Sequence, residues 1–354
     1  MTNKEYQYYL KDLDKIKKNW HSVFSCFAGG GGSSLGYKLA GFDVLGWVEI
    51  DSKMAENYVK NLSPKYFYNE DIRDFLKRED LPKELYELDI LDGSPPCTLF
   101  SVANHTREEN KWVEKEFKEG VKKQTLDDLF SVFIKVANKL KPKVVVAENV
   151  LWLLHDNNKE YLKWIYKDLE PNYNVFHITL DSKNMGVPQS RKRVFFIWIR
   201  KDLNYPKKDI FWYIPDIDFD FKEKEITIWE IDHDNKWNWL WEEEAMLMKH
   251  YDPKKHTQMS HLKQEILWKN TCFNQKLLTK DIVCPTLRAW ANDFIKTWNN
   301  KKLSEYEFKQ IGTFPLDYKF HKYWFAYVIG MSVPPIMIKK IALKIKEGIL
   351  DINK

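Results

Sequence analysis

A run of four glycines between two apolar segments determines the fold class that we predict for the N-terminal half. Residues 21–27 are apolar enough for a buried strand, and the glycines occupy positions 29–32. Residues 35–40 have the pattern of a helix, and residues 42–50 that of a second strand. A strand, a glycine turn, a helix and a second strand form a βαβ unit, in which the turn follows the carboxyl end of the first strand. Glycines there let a ligand approach the main chain without obstruction by side chains.

The alternation of strands and helices continues to about residue 200. Three β-rich runs at 88–91, 144–147 and 194–199 alternate with helical patterns at 126–140 and 161–169. Such alternation is typical of an α/β fold, in which helices cover both faces of a parallel sheet. We therefore predict an α/β protein in which 194–199 is a late strand of the same sheet.

The rest of the chain divides into an irregular segment and a helical tail. From about 201 to 300, tryptophan, lysine and aspartate mix without clear periodicity, so we predict a separate small domain there. The tail at 336–349 is amphipathic, and we expect it to pack as a helix against the first domain.

Composition excludes several other classes of protein. The 354 residues contain no apolar run near the roughly 20 residues of a membrane span, and the N-terminus is polar and charged, unlike a secretory signal. The four cysteines lack the spacing of a zinc site or a disulfide framework, so we predict no metal centre and a reducing, cytoplasmic environment. The sequence has no GxxxxGKS or GxxxxGKT segment, which argues against a nucleoside triphosphatase.

Charge is distributed unevenly along the chain, although the net charge is only +5. Residues 209–244 contain 12 acidic side chains and 3 lysines, whereas residues 245–302 contain 11 basic and 4 acidic side chains. A nucleic acid would be repelled by the first stretch and attracted by the second. Solvated protein faces also fluctuate in charge, so this pattern alone does not identify a nucleic-acid partner.

An acidic residue follows the glycines at the distance expected for a nucleoside site. Glu49 comes about twenty residues after the glycines, where a carboxylate commonly binds the hydroxyls of a ribose. Asp71 follows at a place suited to an adenine amino group. A glycine turn after a strand is often only a tight turn, so this pattern alone leaves both interpretations open.

Three later segments contain side chains suited to catalysis at the same sheet edge. Cys97 follows two prolines, whose rings stiffen the approach to the thiol. Glu148 ends the strand at 144–147 and would therefore lie in the pocket. Arg191 and Arg193 are two apart on an extended segment, so both point to one face and suit a phosphate or carbonyl oxygen. Taken singly, each also fits a structural role: a buried cysteine, a residue at a helix entry, or a solvated basic edge.

In order and spacing, these segments resemble motifs of the DNA cytosine-C5 methyltransferase family of bacterial or phage type. The family's FxGxGG, PPC, ENV, QxRxR and GxSVPP motifs correspond to residues 27–32, 95–97, 148–150, 189–193 and 330–335. Five motifs in the right order are far more specific than any one of them. The resemblance implies a Rossmann-like S-adenosylmethionine-dependent methyltransferase domain with a smaller target-recognition domain. We place the catalytic domain at 1–200 plus 325–354 and the recognition domain at 201–324, with its base-reading part at about 245–300.

The resemblance also implies a mechanism. By it, Cys97 attacks C6 of a cytosine in double-stranded DNA, and C5 then accepts the methyl group of S-adenosylmethionine. Glu148 is implied to hydrogen-bond or protonate cytosine N3, and Arg193 to contact O2. Arg191 would position the thiol region or bind a phosphate, and Asn149 would hold the loop around the cysteine. Because C5 is inaccessible in a stacked duplex, the base must be flipped out, which costs a few kcal/mol.

Further residues are assigned to the cofactor and to DNA. By the resemblance, the cofactor-binding set is Phe27, Gly29, Gly31, Glu49, Ile50, Asp71, Leu129 and Val333. The predicted DNA-binding set combines motif residues with basic residues of the base-reading part: Ser94, Thr98, Gln189, Lys249, Lys254, Lys255, Lys269, Arg288 and Lys296. The loop at about 98–124 is expected to close over the flipped base with Arg107, Lys111, Lys122 and Lys123.

Two motif positions depart from the family. Thr98 stands where a glutamine is usual, which should affect the DNA-side loop more than the chemistry. Met331 stands where an asparagine is usual near the cofactor, which removes a polar contact. Residues 303–315 resemble the segment that stabilises the recognition domain, with Glu307 in place and Lys301 or Lys302 where an arginine is usual.

Within the recognition domain, we expect base contacts from the basic part, because the acidic part would repel DNA. A single lysine is also explained by solvation alone. Trp237, Trp239 and Trp241 are predicted to belong to a core rather than to a platform for stacked bases.

Two other functions are compatible with the sequence. RNA methyltransferases of the same architecture, such as tRNA-modifying relatives, carry a Cys-Phe-Thr signature, which Cys272-Phe273-Asn274 matches only in part. A catalytically silent DNA-binding relative would not need Cys97 or Glu148, which are present. We expect double-stranded DNA as the partner, a monomer, and no membrane association. The protein would be an orphan or phage methylase, or part of a restriction-modification system whose endonuclease acts separately.

Overall fold

Seven strands of the N-terminal part form one sheet. The computed structural model describes residues 4–96, 115–117, 121–124, 129–169, 171–209, 214–234, 240–269, 275–289 and 293–353, with 115–117 and 121–124 as backbone. The strands up to residue 200 are β1 (Ser22–Cys26), β2 (Asp43–Val48), β3 (Tyr66–Tyr68), β4 (Ile90–Gly93), β5 (Lys115–Phe117), β6 (Val121–Gln124), β7 (Val144–Asn149), β8 (Tyr173–Asp181) and β9 (Lys192–Arg200). Their order across the sheet is β3-β2-β1-β4-β7-β9-β8, while β5 and β6 form a separate antiparallel pair.

Six strands of the sheet run in one direction and β9 runs against them. The pairs from β3 to β7 are parallel, whereas β9 is antiparallel to both β7 and β8. The run at 194–199 thus joins the sheet as predicted, but its direction is reversed. The short connection from β8 to β9 explains the reversal, because parallel neighbours need a long crossover.

Helices cover both faces of the sheet, as the α/β prediction requires. The helices of the described residues are α1 (Gly32–Leu39), α2 (Ser52–Leu62), α3 (Ile72–Lys77), α4 (Leu129–Leu140), α5 (Lys159–Leu169), α6 (Glu242–Met248), α7 (Met259–Leu267), α8 (Glu305–Ile311), α9 (Phe325–Met331) and α10 (Pro335–Ile345). On one face, α3, α4 and α5 pack through a cluster that includes Phe75, Phe133 and Ile165. On the other, α1 and the predicted tail helix α10 pack through Tyr37 and Ile338. None of the helices described is both long and apolar enough to span a membrane.

Within residues 201–300, which we predict to form a separate small domain, only the part from Leu240 to Ile295 has a small core of its own. The first part packs on the main sheet instead, because Tyr205, Ile217 and Phe219 belong to the cluster that α1 and α10 cover. The strands here are β10 (Lys207–Asp209), β11 (Ile214–Pro215), β12 (Lys276–Leu278) and β13 (Phe294–Lys296), and β14 (Lys301–Lys302) follows. α6 and α7 pack with β12 and β13 through Leu247, Met248, Met259, Leu262, Leu277 and Ile295. Most of this core lies within the stretch at about 245–300, for which base reading stays a prediction.

The segment after β14 packs against the N-terminal part of the chain. Phe308, Phe314 and Tyr318 share a buried cluster with Leu35 of α1 and Trp47 of β2. The hydroxyl of Tyr318 also donates a hydrogen bond to the Gly30 carbonyl at 2.8 Å. The small core therefore ends before residue 303, earlier than the boundary at 324 that we predict from the sequence.

Candidate active site

A cavity of about 200 Å³ opens at the carboxyl ends of β1, β2 and β4. Seven of the eight predicted cofactor residues line it: Phe27, Gly29, Glu49, Ile50, Asp71, Leu129 and Val333. Ser94 and Pro96 line the same cavity. The glycine turn and the segment that leads to Cys97 therefore form walls of one site.

Glu49 is held in place by main-chain donors at the end of β2. The N–H of Gly29 donates to Glu49 Oε2 at 2.9 Å, and the N–H of Asp51 donates to Oε1 at 2.9 Å. Burial raises the pKa of the Glu49 carboxyl, although these N–H groups oppose the rise. A carboxylate oxygen has a second lone pair, so the fixed carboxylate can still accept a hydrogen bond from a ligand hydroxyl.

Gly29 and Gly31 shape the turn in different ways. Gly29 has φ +49°, and nothing lies within 4 Å of the place that a Cβ would take, so its main chain is open to a ligand. Gly31 has φ +78°, and a Cβ there would lie 2.7 Å from Leu62 Cδ1. We predicted that Gly31 binds the cofactor, but it faces α2 rather than the cavity. Its role is to permit the tight turn that begins α1.

Asp71 and Met331 make two further parts of the wall. Asp71 caps α3, and its carboxylate accepts hydrogen bonds from the N–H of Arg73 at 2.8 Å and from Arg73 Nη1 at 3.0 Å. Met331 is exposed and lines the cavity at the position where the resemblance predicts asparagine. A thioether is a weak acceptor and no donor, so Met331 offers a ligand apolar surface where asparagine would offer hydrogen bonds.

The chain leading to Cys97 is fixed by Asn149. Asn149 is buried, and its Nδ2 donates to the Pro95 carbonyl at 3.3 Å, two residues before Cys97. Its Oδ1 accepts a hydrogen bond from the N–H of Val150 at 2.8 Å, which fixes the orientation of the amide. Cys97 and Thr98 lie outside the described residues, as do the side chains predicted to act in the loop at 98–124.

Glu148 and Arg193 form an ion pair at the same edge. Arg193 Nε lies 2.8 Å from Glu148 Oε1, and both side chains are largely buried. Glu148 is opposite Phe195 in the β7–β9 register, so Arg193 is its diagonal neighbour on the same face. Arg193 Nη1 donates to the Lys192 carbonyl at 2.7 Å, which further fixes the guanidinium. The structure thus brings together the two side chains predicted to contact the cytosine ring.

Arg191 is buried beside this pair with an unused donor. Its Nη1 donates to the Leu287 carbonyl at 3.4 Å, and within the described part of the chain its Nε has no hydrogen-bond partner. Burial, with the nearby positive charge of Arg193, lowers the pKa of Arg191 to about 9. A buried guanidinium with a spare N–H suits a carbonyl or anionic acceptor.

A segment that the sequence analysis does not identify lies along the QxRxR residues. The N–H of Ser190 donates to the Cys284 carbonyl at 2.8 Å, and Thr286 Oγ1 donates to the Ser190 carbonyl at 2.7 Å. The N–H of Leu287 donates to Gln189 Oε1 at 3.1 Å. We call residues 284–288 the strap. Pro285 is the sequence signal for an extended chain at this point.

Gln189 binds the strap inside the protein, which contradicts the prediction that it contacts DNA. Gln189 is buried, and besides accepting from Leu287 its Nε2 donates to the Ile311 carbonyl at 3.4 Å. Both ends of the amide are therefore used inside the protein, where Gln189 joins the strap to α8.

Lys296 is buried in a charged cluster and does not reach the surface. Its Nζ lies 2.6 Å from Glu307 Oε1, and His233 Nδ1 lies 2.6 Å from the same oxygen. Burial opposes ionisation of Glu307, but His233 and Lys296 outweigh it and lower the pKa of the carboxyl. The prediction that Lys296 contacts DNA is wrong, because its side chain is 2% exposed. A buried ammonium needs a carboxylate partner, and Glu307 supplies it.

The other basic residues predicted to contact DNA lie at the surface. Those that are exposed are Lys249, Lys254, Lys255, Lys269 and Arg288, the last paired with Asp293. Trp241 is also exposed, with Lys302 Nζ 5.8 Å from its ring centre, so it is not part of a core as predicted. Trp237, Trp239 and the Cys272-Phe273-Asn274 segment lie outside the described residues.

Comparison with known proteins identifies the family. The family model described as C-5 cytosine-specific DNA methylase matches residues 21–347. The chain belongs to this family. The match covers the cavity, the Glu148–Arg193 pair and the strap.

Individual relatives match about half of the chain. Type II methyltransferase M.FnuDI of Fusobacterium nucleatum is 37% identical over 183 residues, which are 51% of this chain and 48% of that protein. Type II methyltransferase M.Sau96I of Staphylococcus aureus is 35% identical over 195 residues, which are 54% of this chain and 42% of that protein. The chain thus spans about half the length of these curated relatives.

Solved structures confirm the predicted fold class. The structure of a prophage-encoded DNA modification methyltransferase from Escherichia coli has a TM-score of 0.64 at 20% sequence identity, and the match covers 92% of this chain and 99% of that one. At this identity the likeness is one of fold. It agrees with the predicted Rossmann-like methyltransferase architecture.

Proposed function

We propose that this protein transfers a methyl group from S-adenosylmethionine to C5 of a cytosine flipped out of double-stranded DNA, within a short specific sequence. The observation that carries the proposal is the composition of the cavity wall. The wall contains the glycine turn with Glu49, and it also contains Pro96, the residue before Cys97. A cofactor held by the first part would therefore lie close to the nucleophile. Family membership supports the same reaction.

The wall fits the chemical groups of S-adenosylmethionine. The fixed carboxylate of Glu49 suits the hydroxyls of a ribose, and Asp71 offers a carboxylate to an adenine amino group. Phe27, Ile50 and Leu129 provide apolar surface for the flat base. When bound, S-adenosylmethionine supplies an electrophilic methyl group on a sulfonium sulfur.

We assign the covalent step to Cys97. Its thiolate would add to C6 of the cytosine, and C5 would take the methyl group with S-adenosylhomocysteine as the leaving group. Transfer of the C5 proton to water would then expel the thiolate and restore the ring. Asn149 holds the Pro95 carbonyl, so the chain approaches the thiol from a fixed direction. This is positioning of the kind that enzymes use to align a nucleophile.

The Glu148–Arg193 pair is assigned to the cytosine ring. Glu148 hydrogen-bonds or protonates N3, which makes C6 more electrophilic, and Arg193 donates to O2. Arg191, buried against the strap, keeps a spare N–H for the thiol region or a phosphate. Because these groups are largely out of water, their hydrogen bonds to the ring are stronger than at a surface.

Surface residues are assigned to DNA. Lys249, Lys254, Lys255, Lys269 and Arg288 supply positive charge for the phosphates and the base edges. Ser94 and Thr98 flank the prolines and Cys97 and would lie near the flipped base.

We further propose that the protein acts as a monomer, either as the modification enzyme of a restriction-modification system or as an orphan or phage methylase. In the first case its endonuclease acts separately.

The test is transfer of tritiated methyl groups from S-adenosylmethionine to unmethylated double-stranded phage λ DNA, followed by bisulfite sequencing. We expect label at cytosines of one sequence context with the wild type and none with Cys97→Ala. Total tRNA serves as a second substrate. Transfer to tRNA alone would overturn the assignment of DNA as substrate. Binding of cofactor and DNA without transfer to either nucleic acid would indicate a catalytically silent relative.

A further inference from the structure

Residues 4–13, which we call the arm, pack across α8 and the chain that follows it. Tyr6 and Tyr8 are buried in the cluster to which α8 belongs. The hydroxyl of Tyr8 donates to the Thr313 carbonyl at 3.0 Å, and the N–H of Leu316 donates to the Tyr8 carbonyl at 2.8 Å. The family model begins at residue 21, so membership of the family does not account for the arm.

Three side chains of the arm also hold the chain at residues 230 and 232. Lys4 Nζ lies 2.7 Å from Asp232 Oδ1 and donates to the Glu230 carbonyl at 2.5 Å. The hydroxyl of Tyr6 donates to the same carbonyl at 3.1 Å. Gln7 Nε2 donates to Asp232 Oδ2 at 2.8 Å. The arm thus binds both a main-chain oxygen and a carboxylate of this short segment.

Gln310 of α8 binds the main chain at the same place. Its side chain is fully buried. Its Oε1 accepts a hydrogen bond from the N–H of Asp232 at 2.9 Å, and its Nε2 donates to the Asp232 carbonyl at 2.7 Å. Gln7 Nε2 also donates to Gln310 Oε1 at 2.7 Å. Both main-chain groups of Asp232 are therefore bound to α8, and Gln7 helps to fix the amide that binds them.

Residues 228–232 connect this contact to the part of the chain that carries the small core. The N–H of Ile228 donates to the Ile282 carbonyl at 2.8 Å, and the N–H of Trp229 donates to the Lys280 carbonyl at 3.2 Å. Lys280 Nζ also lies 3.8 Å from the centre of the Trp229 ring, which is a cation–π contact. Lys280 and Ile282 lie between β12, which belongs to the small core, and the strap. A segment that is fixed on α8 therefore also fixes the chain between the small core and the strap.

The contacts of the arm are not suited to bind DNA themselves. Glu230 and Asp232 belong to the acidic stretch at 209–244, and Glu230 is paired with Lys224 at 2.8 Å. Negative charge there opposes contact with DNA phosphates. Among the described residues that line the cavity, none belongs to the arm. An effect of the arm on the reaction therefore has to pass through residues 228–232.

We propose that the arm is a positioning element for DNA binding: Lys4, Tyr6 and Gln7 hold residues 230–232 on α8, and this holds the small core in the orientation that DNA requires. The inference rests on the proposed function, which assigns exposed basic residues around the small core to DNA. A recognition part that is already oriented binds DNA more tightly, because it loses less conformational freedom on binding. Loss of the arm contacts therefore weakens DNA binding and leaves the chemistry at the cavity unchanged.

The first test is hydrogen exchange of the free protein, which needs neither DNA nor methyl transfer. The triple variant Lys4→Ala/Tyr6→Phe/Gln7→Ala removes the polar contacts of the arm with residues 230 and 232 and keeps the buried rings of the arm. We expect the amides of residues 228–232 to exchange about fivefold faster or more in the variant, since one lost hydrogen bond changes an opening equilibrium by about that factor. The amides of β1 should exchange as in the wild type. Equal exchange of residues 228–232 in the two proteins would overturn the proposal.

The second test is single-turnover methyl transfer to λ DNA with increasing excess of enzyme. Enzyme is counted as protein that binds S-adenosylhomocysteine, so that an unfolded fraction does not contribute. We expect the half-saturating enzyme concentration to be about fivefold higher in the triple variant, with a maximal rate within about twofold of the wild type. An unchanged half-saturating concentration would overturn the role in DNA binding. A lower maximal rate as the only change would overturn it as well.

Lys15→Ala is the matched control. Lys15 is paired with Asp12 at 2.7 Å, an exposed ion pair within the N-terminal segment, so the variant should match the wild type in both tests. Equal changes in the control would mean a general loosening of this segment and would contradict the inference. Gln7→Ala alone should change both quantities in the same direction by about twofold if the triple variant does not fold. If the wild type transfers no methyl group, the proposed function fails, and hydrogen exchange still decides whether the arm fixes residues 230–232.

Discussion

Arg193 Nε lies 2.8 Å from Glu148 Oε1, and the two side chains are only 15% and 12% exposed. The residues are 45 positions apart in the chain, and the antiparallel pairing of β7 with β9 brings them together. A largely buried pair of this kind is interdependent, because removing one partner leaves the other charge without compensation. Each residue therefore affects the chemistry of the other at the cytosine ring.

Arg193→Ala should lower the single-turnover rate of methyl transfer by about 10²–10³, the usual loss when a preorganised donor is removed. The affinity for S-adenosylhomocysteine should change by less than about twofold, because Arg193 is not among the residues that line the cavity. The rate is measured with enzyme in excess over λ DNA, and the affinity by calorimetry.

Arg200→Ala is the matched control for that variant. Arg200 lies at the other end of β9 and is paired with Asp202 at 2.7 Å. Its removal should leave the transfer rate within about twofold of the wild type, as expected for an exposed ion pair. Equal losses in the two variants would mean that β9 is destabilised in general and that Arg193 has no special role.

Asn149→Ala should slow methyl transfer. The variant loses the hydrogen bond to the Pro95 carbonyl, so the chain before Cys97 is no longer fixed. A small misplacement of a nucleophile lowers the rate by about 10²-fold, and we expect a loss of that order. Asn158→Ala, which removes a similar bond from Nδ2 to the Trp152 carbonyl at 2.7 Å, should leave the rate unchanged. A normal rate in Asn149→Ala would contradict the positioning role.

Much of the fold can be predicted from the sequence because the inner strands of the sheet are buried on both faces. β1 and β7 appear in the sequence as short apolar runs, and the glycine turn marks the end of β1. β8 was not predicted. It is an edge strand with many half-buried residues, so it lacks an apolar run. α2 was missed although Asp51 caps it with hydrogen bonds to Lys53 and Met54, a signal that the sequence contains.

Some residues of the candidate active site can also be predicted from the sequence, and others cannot. Glu49 and Glu148 could be predicted as site residues, because each comes at the carboxyl end of a strand and ligands of such sheets bind at that edge. The burial of Lys296 could not, since its partner Glu307 lies on another element and the pairing depends on tertiary packing. The distribution of charge along the sequence does not distinguish a buried lysine from an exposed one, so we predicted every lysine at the surface. The strap was missed for the same reason, because its hydrogen bonds reach residues almost 100 positions away.

Glu49→Gln should weaken cofactor binding selectively. The variant replaces one carboxylate oxygen by an NH₂ group, so the N–H of Gly29 or of Asp51 loses its hydrogen-bond acceptor. The hydroxyls of the ribose also lose a negatively charged acceptor. We expect about tenfold weaker binding of S-adenosylhomocysteine by calorimetry, with the transfer rate at saturating cofactor within about twofold. Glu56→Gln on α2 is the control and should bind normally. Equal affinities of the two variants would exclude Glu49 from the ribose site.

The exposed and the buried lysines should respond differently to mutation. Replacing Lys254 and Lys255 by alanine should reduce the slope of log K against log salt for λ DNA by about two, one for each lost phosphate contact. Lys296→Ala should leave that slope unchanged and lower the free energy of unfolding by about 3 kcal/mol, because it takes the ammonium partner from the buried carboxylate of Glu307 and leaves only His233 beside it. Salt titrations of DNA binding and urea unfolding measure the two effects. An unchanged slope in the double variant would show that Lys254 and Lys255 do not contact DNA phosphates.

Asp89 should make the stability of the fold depend on pH. Its carboxylate lies 2.8 Å from Lys143 Nζ and accepts a hydrogen bond from the N–H of Ser22 at 2.8 Å, with His21 Nδ1 at 3.5 Å. Burial opposes ionisation, but His21 and Lys143 outweigh it and lower the pKa from 3.8 to about 2. A depressed pKa means that the stabilisation is present above the unfolded value of 3.8 and is lost as the pH falls toward about 2.

Asp89→Asn should therefore lower the free energy of unfolding by about 2 kcal/mol near neutral pH, the equivalent of the shift in pKa. The gap between wild type and variant should shrink as the pH falls below about 4, where the carboxyl begins to take up its proton in the unfolded chain. It should be largest between about pH 4 and pH 6. There His21 is also charged, because Asp89 and Asp351 outweigh burial and raise the pKa of the imidazole. Urea unfolding of both proteins from about pH 3 to pH 8 measures this gap, and a gap that does not vary with pH would mean that packing rather than charge accounts for the loss.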